Sequence, residues 1–258
     1  METISHSLSG AMTPVRGQSG FAAGMPNFAH SDVRAWARNV QRGGPGLLTG
    51  ERPIFALALG WQVILTLEGY RVHNIDGANR FNVFHLAGEC MERGLPVEDV
   101  LNTITVQRVF TPYQVLDVVS QIADEALRKR RERSEARDAR ADFAADERSR
   151  ETSADSSGGE TIYFFLSPCK QFFDGDVGEE EGEFLLKRLL GVFRYMARKS
   201  LPVMIVERGY DHPVFQRLYP ELENLAGCHW PLTQIPDSEY HSGELSYGTH
   251  TGSLFHAD

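Results

Sequence analysis

Residues 70–121, YRVHNIDGANRFNVFHLAGECMERGLPVEDVLNTITVQRVFTPYQVLDVVSQ, read as strand, turn, helix, strand, turn, helix, and their local signals agree with one another. Arg71 to Ile75 is a β-rich run that stops at Asp76-Gly77. Phe84 to Met91 then carries Phe84, Ala87 and Met91 at helical spacing until Gly94 ends the helix. Pro96 to Leu101 makes a helical turn, with proline where a first turn accepts it, and Ile104-Thr105-Val106 supplies the next strand. Thr111-Pro112 opens a second helix as N-cap and N1 proline, with Val115, Leu116, Val118, Val119, Ile122 and Ala123 as its buried stripe. Alternation of short apolar strands with amphipathic helices predicts an α/β domain with a mainly parallel sheet in three layers.

Outward from this unit, Pro53 to Gly69, PIFALALGWQVILTLEG, is apolar almost throughout. It reads either as one buried helix with Pro53 near N1, or as a strand over Ile54–Leu59 that turns at Gly60. Ile162 to Leu166 and Pro202 to Val206 are the best strands of the second half. Between them Phe184 to Ser200 puts Leu185, Leu186, Leu189, Leu190, Phe193, Met196 and Ala197 on one helical face, with bases mostly on the other. Val214 to Leu225 suggests a short helical hairpin around Pro220, and His229 to Leu232 an edge strand.

The run Ile75-Asp76-Gly77-Ala78-Asn79-Arg80-Phe81, followed by Arg93-Gly94-Leu95, Val100-Leu101 and Arg108-Val109-Phe110-Thr111, resembles the ATPase core of the RecA/RadA recombinase family. There the second strand ends IDTE(N/G)xF, the helix ends RxGL, a VLxN turn follows, and the third strand leads into ARAFT/N. The spacing matches without a gap over roughly fifty residues, and a weaker match extends to about Tyr210. The resemblance implies a RecA-like domain of P-loop type.

What it implies about the nucleotide site is loss. With 53–69 as a helix, the family's G-x-x-x-x-G-K-[ST] falls on Pro45 to Arg52, where only the second glycine, Gly50, survives. Glu51 stands where the lysine binds the β- and γ-phosphates, and Arg52 where a hydroxyl holds Mg²⁺. A unit charge at 4 Å is worth about 4 kcal/mol at an effective dielectric near 20, so replacing attraction by repulsion costs several kcal/mol before screening. The family's water-activating acid falls on Ala78, the acid ending its Walker B strand on Leu166, and its sensor glutamine near Arg208. Methyl and isobutyl groups do no proton chemistry and ligate no Mg²⁺. Asp76 is kept, at a position that also supports the loop structurally in the family. Together these changes imply a degenerate site, no cofactor and a pseudo-ATPase.

The resemblance further implies a non-catalytic paralog serving homologous recombination and DNA repair, an accessory or assembly factor whose partner is a recombinase or another paralog. A RecA-fold interaction scaffold unrelated to DNA is the alternative, and an enzyme with a relocated site is a third class that no Ser/His/Asp, Cys/His or metal cluster supports. Gly20-Phe21-Ala22-Ala23-Gly24 approximates the Phe-x-x-Ala tether by which such arms dock on a neighbour, which makes Phe21 a candidate partner contact. Where the family carries its first, arginine-bearing DNA loop, residues 174–183 hold six acids and no base, so the segment should repel DNA. The basic side chains left as candidates for DNA are Arg128, Lys129, Arg130 and Arg131, and the face bearing Arg194, Arg198 and Lys199.

The 258 residues, 41% of them hydrophobic, suffice for a core, and the net charge of −9 argues against a surface built throughout for phosphate. No apolar run reaches the roughly 20 residues a bilayer requires, and the start lacks a basic segment followed by an apolar one, so the expected location is cytoplasmic. Cys90, Cys169 and Cys228 lack CxxC spacing and read as reduced thiols with no metal site, although Cys228 and His229 adjoin. The organisation expected is an N-terminal arm over 1–47 with one helix at Asp32–Val40 capped by Ser31, a core over 48–235, a charged insertion over 128–160 and a polar tail over 236–258. The insertion alternates charge at i,i+4 like a solvated helical extension and then becomes a Ser/Gly-rich linker.

Overall fold

The computed structural model describes residues 30–51, 53–144, 160–173 and 177–232. Six strands form one wholly parallel sheet: β1 (Gly46–Gly50), β2 (Arg71–Asp76), β3 (Ile104–Arg108), β4 (Thr161–Leu166), β5 (Val203–Arg208) and β6 (Cys228–Leu232), in the order β3-β2-β4-β5-β1-β6. The helices are α1 (His30–Gly43), α2 (Pro53–Leu67), α3 (Val83–Glu92), α4 (Val97–Leu101), α5 (Pro112–Ala144), α6 (Glu179–Arg198) and α7 (Pro213–Leu225).

Strand residues alternate between two cores. Leu47, Ile75, Phe165, Val203 and Ile205 face α5, α6 and α7, while Leu48, Val72, Phe164, Leu166, Met204 and Val206 face α1 and α2. A third apolar cluster joins Leu59 and Val63 of α2 to Leu86 and Cys90 of α3 and Val100 of α4. Parallel strands covered on both faces read as near-continuous apolar runs, so β4 and the first four residues of β5 show no polar alternation. Gln62 of α2 and Asn74 of β2 exchange two buried hydrogen bonds of 2.7 and 2.9 Å, which pins helix to strand and satisfies both amides.

The structure settles the two readings of 53–69 in favour of the helix, with Pro53 as its first residue. It also places Pro112 at the start of α5, where the Gln114 N–H donates to Thr111 Oγ1 at 3.2 Å. The stripe Val115 to Ala123 is buried as expected.

Other expectations need correction. In α3 the buried residues are Leu86 and Cys90, whereas Phe84 and Met91 face out; the helix packs on α2 through a narrower stripe than the spacing of its largest side chains suggests. No hairpin breaks at Pro220, because α7 runs through it as one helix. The acidic stretch is not one loop: Glu179, Glu180 and Glu181 form the first turn of α6, where carboxylates complement the helix dipole. The helix expected at 32–40 extends over α1, and its Val33, Trp36 and Ala37 are buried against the sheet, so the packed core begins before residue 48. Phe21, Arg52, the segment 174–176, most of the Ser/Gly-rich linker and the tail lie outside the described residues. No helix among the described residues is long and apolar enough to cross a membrane.

Candidate functional site

The outgoing connections of neighbouring strands diverge twice. From β1 the chain leaves through α2 toward β2, while from β5 it leaves over the opposite face through α7 to β6; β2 and β4 diverge likewise toward β3 and β5. In open parallel sheets the crevice outside the strands' carboxyl ends at such a point is where ligands bind. All positions that the resemblance assigns to nucleotide chemistry, Arg52 aside, end up along this edge. Gly50 pairs with Arg208, Leu166 with Asp76, and Asp76 with Arg108.

The stretch that the resemblance aligns with a phosphate loop is mostly strand. The stretch 46–50 is a strand laddered to β5 on one side and β6 on the other, so its backbone is committed to the sheet and does not form an anion cradle. The α2 helix begins at Pro53, which leaves only Glu51 and Arg52 between strand and helix. Gly50 survives for another reason: its φ is +147°, and a Cβ there would lie 2.5 Å from the Leu232 carbonyl oxygen. The Glu51 side chain is exposed.

Leu166 is buried in the α2-side core. Asp76, 1% exposed, spends its carboxylate on the loop that follows: Oδ1 accepts from the Ala78 and Arg80 N–H groups at 3.3 and 2.8 Å, and Oδ2 from the Phe81 N–H at 3.0 Å. These bonds hold Asn79 in the left-handed region at φ 54°. Arg108 Nε lies 4.0 Å from Oδ2, and the Gln171 amide donates to the Gly77 carbonyl. Arg208 places its guanidinium 5.5 Å from the Tyr210 ring centroid.

Sequence reasoning missed the residue at the centre of this edge, Glu207, which is fully buried. Its Oε1 accepts from Ser167 Oγ at 3.1 Å, Tyr210 OH at 2.8 Å and the Arg208 N–H at 3.1 Å, while Oε2 accepts from the Cys169 N–H at 2.8 Å. Burial raises its pKa, and these donors pull it back only in part. The Cys169 thiol is pushed well up, first by burial and then by the Glu207 charge, and burial raises the Tyr210 hydroxyl. A carboxylate beside a serine, a tyrosine and a cysteine looks like nucleophile chemistry. Burial decides against it, because Ser167, Cys169 and Glu207 are all closed to solvent and a protonated thiol is a poor nucleophile. A charged residue ending the apolar run 203–206 was the one available signal.

Beside this network a cleft of 440 Å³ opens between the ends of β5, β1 and β6, lined by Thr49, Glu51, Tyr210, Phe215, Tyr219 and Leu232 among others. Its floor is also tied up internally. Thr49 Oγ1 and His229 Nε2 are 2.8 Å apart, and His229 Nδ1 is 3.8 Å from Glu223.

The basic cluster of α5 is paired locally. Arg128 meets Glu132 at 3.9 Å, Lys129 meets Glu125 at 2.6 Å, Arg131 meets Glu135 at 2.8 Å, and Arg130 donates to the Lys199 carbonyl oxygen at 2.6 Å. On α6, Arg194 meets Glu221 at 3.2 Å. A scan against protein-family models matches none of them, and a search of curated proteins returns no match.

Proposed function

We propose that this chain is a RecA-like domain with a degenerate nucleotide site, acting without catalysis as an accessory or assembly factor in homologous recombination and DNA repair, with a recombinase or recombinase paralog as its partner. The observation that carries the reading is the commitment of Gly46–Gly50 to two strand ladders, at the stretch where the resemblance places the phosphate loop. A parallel sheet whose first strand is hydrogen-bonded along this stretch favours protein contact over phosphate binding as the means of action. The side chains of Ala78 and Leu166 point the same way, since neither offers an oxygen to water or to Mg²⁺.

Calorimetric titration of the full chain with ATP and Mg²⁺ is expected to give no heat of binding, and micromolar affinity would overturn the reading. Capture from the source cell followed by mass spectrometry is expected to recover a recombinase. The second reading, a scaffold unrelated to DNA, is favoured by the local pairing of the α5 bases and by the carboxylates opening α6, both of which weaken attraction to phosphate. Recovery of partners with no recombinase among them would select it.

A further inference from the structure

We propose that the β2–β3 side of the sheet's carboxyl edge is a self-complementary surface on which two copies of this chain pair about a two-fold axis. Four large rings stand exposed there: Phe84 at 85%, Phe110 at 66%, Phe184 at 61% and Tyr113 at 55%. They follow one another along a continuous path. Phe84 and Arg108 line the same 550 Å³ cavity, and Phe110 comes two residues after Arg108. Tyr113 lies in the first turn of α5, its hydroxyl donates to Glu181 on α6, and Phe184 sits one turn beyond that glutamate. Exposed aromatics scattered singly need no explanation, but a row of them does, because rings are what protein interfaces concentrate.

The two ends of the path carry opposite charge. At the α3 end the cations Arg80 and Arg108 border the cavity, with the His85 ring beside them, and the Arg108 side chain is 52% exposed. At the α6 end stand Glu179, Glu180 and Glu181, all exposed, and Glu181 is already tied to Tyr113. A strip that is basic at one end, aromatic in the middle and acidic at the other matches itself after a half turn. Each basic end then meets the partner copy's acidic end, and rings lie against rings. A uniformly acidic partner, nucleic acid included, would gain at one end and be repelled at the other, and a uniformly basic one would meet the reverse problem. The rings supply the affinity and the charged ends set the orientation.

This inference does not rest on the accessory role proposed above, and its test is separate. Sedimentation equilibrium of the full chain over a concentration series is expected to show a monomer–dimer equilibrium. Phe110→Ser with Phe184→Ser should weaken it by about tenfold or more, since interfacial rings dominate binding energy. Arg108→Glu alone should weaken it, as should Glu179→Arg with Glu180→Arg. An equimolar mixture of these two charge variants should form a heterodimer tighter than either homodimer, because every swapped end then faces an opposite charge. Thermal melting confirms that each variant is folded; if Arg108→Glu melts early, His85→Glu replaces it. A monomer at every concentration overturns the proposal, as does a dimer unmoved by the ring variants, or a mixture that associates no better than its components. None of these outcomes bears on whether a recombinase is captured.

Discussion

Around the ends of β4, β5 and β1, polar side chains turn inward: Glu207, Ser167, Tyr210 and Thr49 bond to one another or to nearby backbone and histidine. Around the ends of β2 and β3 the arrangement is reversed. Asp76 is turned inward to hold the loop, with Gln171 at the Gly77 carbonyl, and Phe84, Phe110 and Tyr113 are left in water. Both regions occupy the carboxyl edge where a parallel sheet presents ligand-binding groups, and among the described residues Asp76 and Glu207 both spend their carboxylates on nearby protein donors. The first has turned its polar groups into structure. The second ties down its loop and exposes a row of aromatic side chains.

The contrast is broken most directly at Glu207. Replacing it with alanine leaves the N–H groups of Cys169 and Arg208 without their acceptor, while the Ser167 and Tyr210 hydroxyls, 2.8 Å apart, keep each other, and should cost about 3 kcal/mol in urea denaturation. A loss under about 0.5 kcal/mol would mean the inward-turned region is not structural. Next in size is Gly50→Ala, expected to destabilise by about 2 kcal/mol, because the added Cβ meets the Leu232 carbonyl oxygen at 2.5 Å on a backbone with φ of +147°. Tolerance of alanine there would return Gly50 to a role outside packing.

A smaller effect comes from pH. The folded-state pKa of Glu207 is raised above its ordinary value of 4.5 by burial. Such a group contributes stability that is fully present below the unfolded value and is lost as pH rises through the folded one. Measured against Glu207→Gln, the wild-type chain should therefore lose stability from about pH 4.5 upward and then level off, with a slope no steeper than about 1.4 kcal/mol per pH unit. A difference curve that rises with pH would reverse the sign and point to a cation near the carboxylate. Glu183, whose pKa is lowered by the Lys187 hydrogen bond and then Arg217, belongs to the opposite class and loses its contribution as pH falls.

The smallest change is expected at the outward-turned region. Phe84→Ser and Phe184→Ser should each shift monomer stability by less than about 0.5 kcal/mol, as at other exposed sites. Chemical denaturation at concentrations below any self-association checks this, and a loss of 2 kcal/mol would place those rings in the core of the single chain.

Much of the fold was legible because it depends on local rules. Glycine and proline punctuation marked the ends of α2, α3 and α5, and the unbroken apolar runs of β4 and β5 are what a strand covered on both faces requires. Where local rules misled, a contact distant in sequence was responsible. Phe84 and Met91 look like a buried stripe by spacing, but α2 offers α3 only the narrow groove filled by Leu86 and Cys90. The Pro220 ring sits within α7 between Phe215 and Leu222, whose burial keeps the helix continuous through a residue that would break it in isolation.

By itself the sequence determined that the chain alternates strands and helices, that the side chains of Ala78 and Leu166 carry no oxygen, and that acids crowd residues 174–183 ahead of an amphipathic helix. Only the tertiary structure decided what those residues border. Gly46–Gly50 is short enough to be either loop or strand, and it became a strand because β5 and β6, more than 150 residues further along the chain, arrive on both sides to take its hydrogen bonds. Glu207 is one acid among 35 acidic residues in the sequence, and it became the buried hub because the ends of β4 and β5 bring Ser167, Cys169 and Tyr210 to it. The cost of burying a charge depends on its neighbours in space, and those neighbours are assembled by the sheet order rather than by sequence spacing.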